Sequence, residues 1–227
     1  MSPSLIIAAF AVFVVGLLVV SILQSIRRRK ELAAWAAANG LSFSAAHEYG
    51  VEGRHPGFRC LRRGSNRFAY NLLRGTWRSR PFEGFDYHYE TYTTDSKGRR
   101  QTHHHHFSCV VLGSPVPLKP LFIRPEGFWD KLAEFVGADD IDFESAEFSR
   151  TFYVKSPDRR WAYDVIHPRA MEFLLAQPRF SIEFDAGAVI AWLDRRFSPG
   201  EFAAAADVIH GLLERLPGYL VRQQTGR

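Results

Sequence analysis

Four consecutive histidines, His103-His104-His105-His106, are the residues of this chain best suited to chemistry. Imidazole nitrogens bind zinc, copper, iron and nickel, and they exchange protons near neutral pH. On a β-strand alternate side chains face opposite ways, so His103 and His105 share one side and His104 and His106 the other. Same-face neighbours lie about 6.5–7 Å apart, a spacing from which two imidazoles can converge on one metal. His88 and Glu90 occupy another strand-like run and can add ligands to such a site. The expected metal ligands are therefore His88, His103 and His105, with a transition metal as cofactor. The competing reading has no cofactor and pairs the histidines with tyrosines at an exposed hairpin end.

Other candidate chemistry is sparse, and catalytic residues stay unknown. Asp139-Asp140-Ile141-Asp142-Phe143-Glu144 with Glu147 concentrates carboxylates, but the spacing departs from a calcium-binding EF-hand loop. A solvated segment clipped down by Phe143 and Phe148 is the simpler account. There is no GxSxG elbow, P-loop, GxGxxG or HExxH, so the usual signatures of nucleophilic, phosphate and zinc-protease chemistry are absent. His47-Glu48 lacks the second histidine of the last motif, and His167-Pro168 reads as a helix entry. Cys60 and Cys109 form no CxxC pair and read as buried thiols.

The elements that must position these residues follow from periodicity. Phe68–Trp77 and Phe82–Thr93 are strand-like, joined by a turn at Arg78-Ser79-Arg80-Pro81. Phe85 to Tyr92 alternates aromatic with polar, as a half-buried strand does. Asp95-Ser96-Lys97-Gly98 turns the chain into a third strand, His103–Leu112, completing an antiparallel meander. Pro115, Pro117 and Pro120 then break the pattern. Beyond them the sequence predicts strands at Leu121–Arg124 and Phe148–Lys155, and helices at Glu126–Val136 and Pro168–Ala176. A hairpin is predicted about Asp185-Ala186-Gly187, and a final helix from the Ser198-Pro199-x-Glu201 capping box to about Leu216.

Ahead of all this, Leu5–Ile26 is an uncharged apolar run followed at once by Arg27-Arg28-Arg29-Lys30. A helix of that length measures about 33 Å, against a hydrocarbon core of about 30 Å. The charges follow the run, unlike those of a secretory signal. The expectation is a transmembrane anchor in a bacterial inner (cytoplasmic) membrane. It is single-pass, with the N-terminus outside and the C-terminal domain cytoplasmic. The helix continues to Asn39, with Leu32, Trp35 and Ala36 on one face and Asn39-Gly40 as its stop. Net charge is +5 overall, but Arg27–Arg80 carries twelve basic residues against three acidic ones. Lipid contact is therefore expected through residues 5–26, and anionic headgroups through Arg27, Arg28, Arg29, Lys30 and Trp35. Nucleic acid is the least favoured partner of this basic segment.

Leu32–Phe43 (LAAWAAANGLSF), Asn71–Trp77 (NLLRGTW), Phe85–Tyr89 (FDYHY) and Phe122–Gly127 (FIRPEG) follow the apolar run in that order. With Asp140–Ser145, Arg150-Thr151-Phe152 and Tyr163–Pro168, these segments resemble a group of single-pass bacterial membrane proteins to which no activity is assigned. The resemblance implies a bacterial source and that topology, and it carries over no functional residue.

The expected fold class is α+β, an N-terminal transmembrane helix followed by a cytosolic domain with an antiparallel β-meander and packed helices. Residues 1–30 form the anchor and basic stop, 31–113 a juxtamembrane helix plus the meander, and 114–227 a second α+β half of the same or a separate domain. With no catalytic set in view, a membrane-anchored binding or scaffold module with an unknown protein partner is the leading expectation. A metal-dependent enzyme or metal sensor built on the His103–His106 strand is the alternative.

Overall fold

The computed structural model describes residues 3–126 and 141–225. The expected helix Glu126–Val136 and the acidic pair Asp139-Asp140 fall outside the described residues almost entirely. Helix α1 runs from Pro3 to Ala38 without a break. It stops where Gly40 takes φ +68° and the Leu41 N–H returns to the Ala36 carbonyl at 2.9 Å, a left-handed stop that glycine adopts without strain.

Among the described residues an antiparallel sheet of six strands follows, in the order β1-β2-β3-β4-β5, with β6 also paired to β4. The strands are β1 (Ser42–Ser44), β2 (Ser65–Trp77), β3 (Arg80–Thr94), β4 (Arg100–Pro125), β5 (Phe152–Lys155) and β6 (Ser181–Leu193). The α+β expectation with an antiparallel sheet agrees with this architecture. Strand β4 is the spine. It pairs with β3 from Arg100 to Leu112, and with β6 from Ser108 to Ile123. Every residue from Phe107 to Leu112 is buried, because both faces of the sheet are covered. Val110 and Leu112 join one core with Leu32, Ala36 and Phe82. Phe107, Cys109 and Val111 join another with Phe58, Leu61, Tyr87 and Val51, the last in a short helix, α2 (Val51–Arg54). The first core is closed by α6 (Pro199–Glu214), which the expected capping box starts and whose buried side includes Phe202, Ala205, Ala206 and Ile209.

Two local readings change. The hairpin expected about Asp185–Gly187 is one continuous strand, β6, because β4 runs unbroken beside it and the irregularity is taken up as register shifts opposite Gly113, Leu118 and Leu121. The strand expected from Phe148 begins only at Phe152. Ser145 accepts the Phe148 N–H at 3.2 Å and caps a short helix, α3 (Ala146–Thr151). A further short helix, α4 (Arg159–Val165), is capped by Asp158 accepting the Trp161 N–H. The expected helix at Pro168 is α5 (Pro168–Leu175), with His167 at its entry.

The transmembrane expectation is also corrected. Among the described residues, no helix is long and apolar enough to cross a membrane. The single-pass topology and its orientation, both inferred from that span, fall with it. Past Ile26 the helix turns into a structural element of the domain, with Leu32 and Ala36 fully buried.

Candidate functional site

Register decides which histidines meet. In β3 and β4, His88 lies opposite His106, Glu90 opposite His104, Tyr89 opposite His105 and Thr91 opposite His103. Directly opposed residues share a face, so His88, Glu90, His104 and His106 are together. The structure places His103 and His105 on the other face, away from His88. There Thr93 Oγ1 lies 2.8 Å from His103 Nε2 and Thr91 Oγ1 2.8 Å from His105 Nε2. His105 also stacks on Tyr89, centroids 4.6 Å apart. The sequence shows that the four histidines split two and two, but only the pairing register says which two join His88.

The site is built around a bulge in β2. Register shifts between Ser65 and Phe68, with Asn66 at φ +47°. Asparagine is among the few side chains that tolerate this left-handed region. In that conformation the Asn66 carbonyl lies 3.0 Å from His88 Nδ1. A carbonyl only accepts, so Nδ1 carries the hydrogen and the neutral ring presents its Nε2 lone pair. The same residue donates Nδ2–H to Glu90 Oε1 at 2.7 Å, and Tyr92 donates its hydroxyl to Glu90 Oε2 at 2.8 Å. These two hydrogen bonds hold the Glu90 carboxyl below its ordinary range.

His88 Nε2 then lies 3.2 Å from His104 Nδ1, and His104 Nδ1 lies 3.4 Å from Glu90 Oε1. The three ligand atoms are all within 4.8 Å of one another. Phe68 stacks on His88 at 4.5 Å and His47 on Phe68 at 4.6 Å, forming an aromatic strip along this face. His106 flanks it, with Nδ1 3.0 Å from the Tyr70 hydroxyl. Burial, with Arg196 nearby, lowers its basicity to about 4.

The expected headgroup residues divide. Arg27 pairs with Glu31 one turn on, and Arg29 and Lys30 are exposed. Arg28 is instead folded into the domain. It donates to both oxygens of buried Asp86 and to the Phe197 carbonyl. Trp35 is likewise packed on Trp77 and Phe202, centroids 6.1 and 6.0 Å away. Both side chains are thus engaged within the domain. Along β3 the order is Phe82, Asp86, His88, Glu90; along α1 it runs from Trp35 back to Arg28 and then to Ile26. The histidine face therefore lies at the end of the sheet toward the apolar part of α1.

Two further clusters were not legible beforehand. Glu83 lies between His55, Arg54 and Arg74 at the edge of a cleft that Pro81 and Gly187 also line. Burial opposes its ionisation, yet hydrogen bonds from His55 and Arg74 hold it at about 2. Glu183 is buried beside a small cavity lined by Gly57, Pro120 and Phe122, where its carboxylate accepts the Arg59 and Cys60 N–H groups. Both cysteines are buried, and burial pushes both thiols well up, which makes them poor nucleophiles.

No protein-family model matches the chain, and no curated protein matches it. Among solved structures it is similar to the crystal structure of the mycobacterial trehalose monomycolate transport factor A, TtfA, with a TM-score of 0.56 and 11% sequence identity. The alignment covers 83% of this chain and 96% of that one. At that identity the likeness shows a shared fold and nothing finer.

Proposed function

We propose that this chain is a membrane-associated binding or scaffold module, held against an anionic bacterial membrane surface by the apolar end of α1. The observation that carries the reading is the contrast along that one helix. From Val12 to Ile26 its apolar side chains are exposed, Phe13 at 63% and Leu18 at 59%. From Arg28 onward it is fastened to the sheet. An apolar surface this continuous marks a lipid or protein contact. Arg27, Arg29 and Lys30 sit at its border, where each cation gains about 1 kcal/mol from an anionic leaflet.

Because the fastened half of α1 is part of the core, lipid contact fixes the height and tilt of the sheet above the surface. That arrangement suits a module that presents a partner-binding face.

Flotation of the full chain with phosphatidylcholine vesicles, with and without phosphatidylglycerol, tests the proposal. The chain should float, more completely with the anionic lipid. The double variant Val15→Asp/Leu18→Asp should stay at the bottom with an unchanged circular dichroism spectrum. A wild-type chain that ignores both vesicle types, or a double variant that floats equally well, overturns it.

A further inference from the structure

We infer that His88 Nε2, His104 Nδ1 and Glu90 Oε1 form a binding site for one divalent transition-metal cation of the zinc class, with a fourth position open to solvent. Zinc–nitrogen bonds of about 2.0–2.1 Å arranged tetrahedrally put neighbouring ligand atoms about 3.3 Å apart. The observed separations, 3.2 Å between the two imidazole nitrogens and 3.4 Å between His104 and Glu90, match that edge length.

The groups behind the ligands point the same way. A metal-binding imidazole needs its other nitrogen engaged as a donor, which fixes the tautomer and aims the lone pair. The Asn66 carbonyl does this for His88. Asn66 and Tyr92 together hold the Glu90 carboxylate, leaving further lone-pair directions on Oε1 for a cation. One asparagine at the β2 bulge thus sets two of the three ligands. His88 and Glu90 are well covered, whereas the His104 side chain is 59% exposed, so a cation can enter from its side. Two neutral imidazoles and one carboxylate suit zinc, cobalt or iron(II) better than calcium or magnesium, which prefer all-oxygen shells.

The hydrogen-bonding alternative is specific: His104 Nδ1 would carry a proton and donate it to His88 Nε2. Metal binding must displace that proton, so the two states are distinguishable. The full chain, purified without a metal-affinity step and stripped with a chelator, is titrated with Zn²⁺ by calorimetry and with Co²⁺ by visible absorption. The expected result is one cation per chain, with the stronger visible bands of tetrahedral cobalt. His104→Ala, at an exposed position, and isosteric Glu90→Gln should each weaken Zn²⁺ binding at least about 10-fold while leaving the circular dichroism unchanged. Asn66→Gly, which keeps the backbone freedom and removes the amide, should weaken it about 10-fold through positioning alone. The double variant His103→Ala/His105→Ala should bind as the wild type does. No uptake by the wild type overturns the inference. So does uptake undiminished in both His104→Ala and Glu90→Gln, or uptake that depends on His103 and His105.

Discussion

Arg28 and Asp86, 58 residues apart, share two hydrogen bonds, Nε to Oδ2 at 2.8 Å and Nη2 to Oδ1 at 2.6 Å. Asp86 is fully buried and also accepts from Asn71 Nδ2 and the Ser108 hydroxyl. Removing the arginine would leave a buried carboxylate without its charge partner, which costs about 3 kcal/mol when one side of the pair still reaches solvent. Arg28→Ala should lower the unfolding free energy by about that amount in urea titrations. Arg28→Lys should recover only part of it, since an ammonium cannot make the two-pronged contact. Equal stability of wild type and Arg28→Ala would show that α1 is not fastened there.

Arg29 and Lys30 adjoin Arg28 but are exposed, so their role separates from its structural one. Each is worth about 1 kcal/mol toward an anionic surface. Arg29→Glu/Lys30→Glu should therefore weaken binding to phosphatidylglycerol vesicles by at least about 10-fold, leaving the urea midpoint unchanged. The loss should shrink at high salt, where a surface charge is screened over about 3 Å at 1 M. A defect that is the same at all salt concentrations would point away from electrostatic lipid contact.

The difference between these neighbours shows what could be read from residues alone. A run of arginines beside an apolar segment signals a border with lipid, but helical phase decides which of them turns inward, and its target Asp86 is remote in sequence. The meander was legible because Phe85–Tyr92 alternates with period 2, and α6 because Ser198 and Glu201 stand at capping distance. The histidine cluster was legible as a two-and-two split. Its partner face depended on a one-residue choice of register, set by the turn at Asp95–Gly98 and by burial of Tyr87 and Phe107. The β2 bulge at Asn66 left no signal beyond the asparagine itself. The span over Leu5–Ile26 rested on hydropathy, length and the basic residues after it, none of which reveals that the same helix becomes part of the domain core from Arg28 on.

Gly64 supports the same bulge. Its φ is +57°, and an added Cβ would lie 2.2 Å from the Glu90 carbonyl oxygen, a backbone atom that cannot swing aside. Gly64→Ala combines left-handed strain with overpacking and should cost about 2–4 kcal/mol. Gly98 has φ +76° with open space around it, so Gly98→Ala should cost only the strain, about 1 kcal/mol. Chemical denaturation of the pair checks the contrast. Similar losses at both positions would mean that the Gly64 backbone moves freely and that the bulge is not a fixed support for Glu90.

Glu183 gives the pH dependence a definite sign. Burial raises its pKa from the ordinary 4.5 to about 7, against the pull of the Arg59 and Cys60 N–H groups. Between those values the folded chain keeps a proton that the unfolded chain has released, so stability falls as pH rises. The contribution is complete below about pH 4.5, is lost by about pH 7, and amounts to about 3 kcal/mol. His106 acts in the opposite sense. Burial lowers its value to about 4, so below about pH 6.5 the unfolded chain binds a proton that the folded chain does not, and stability rises with pH up to that point. The wild-type profile mixes the two, and a single variant separates them. Glu183→Gln cannot ionise, so its unfolding free energy relative to wild type should climb by up to about 3 kcal/mol between pH 4.5 and 7.5. A difference that stays constant across that range would show that Glu183 titrates alike in both states, and that the cavity beside it admits enough water to solvate the charge.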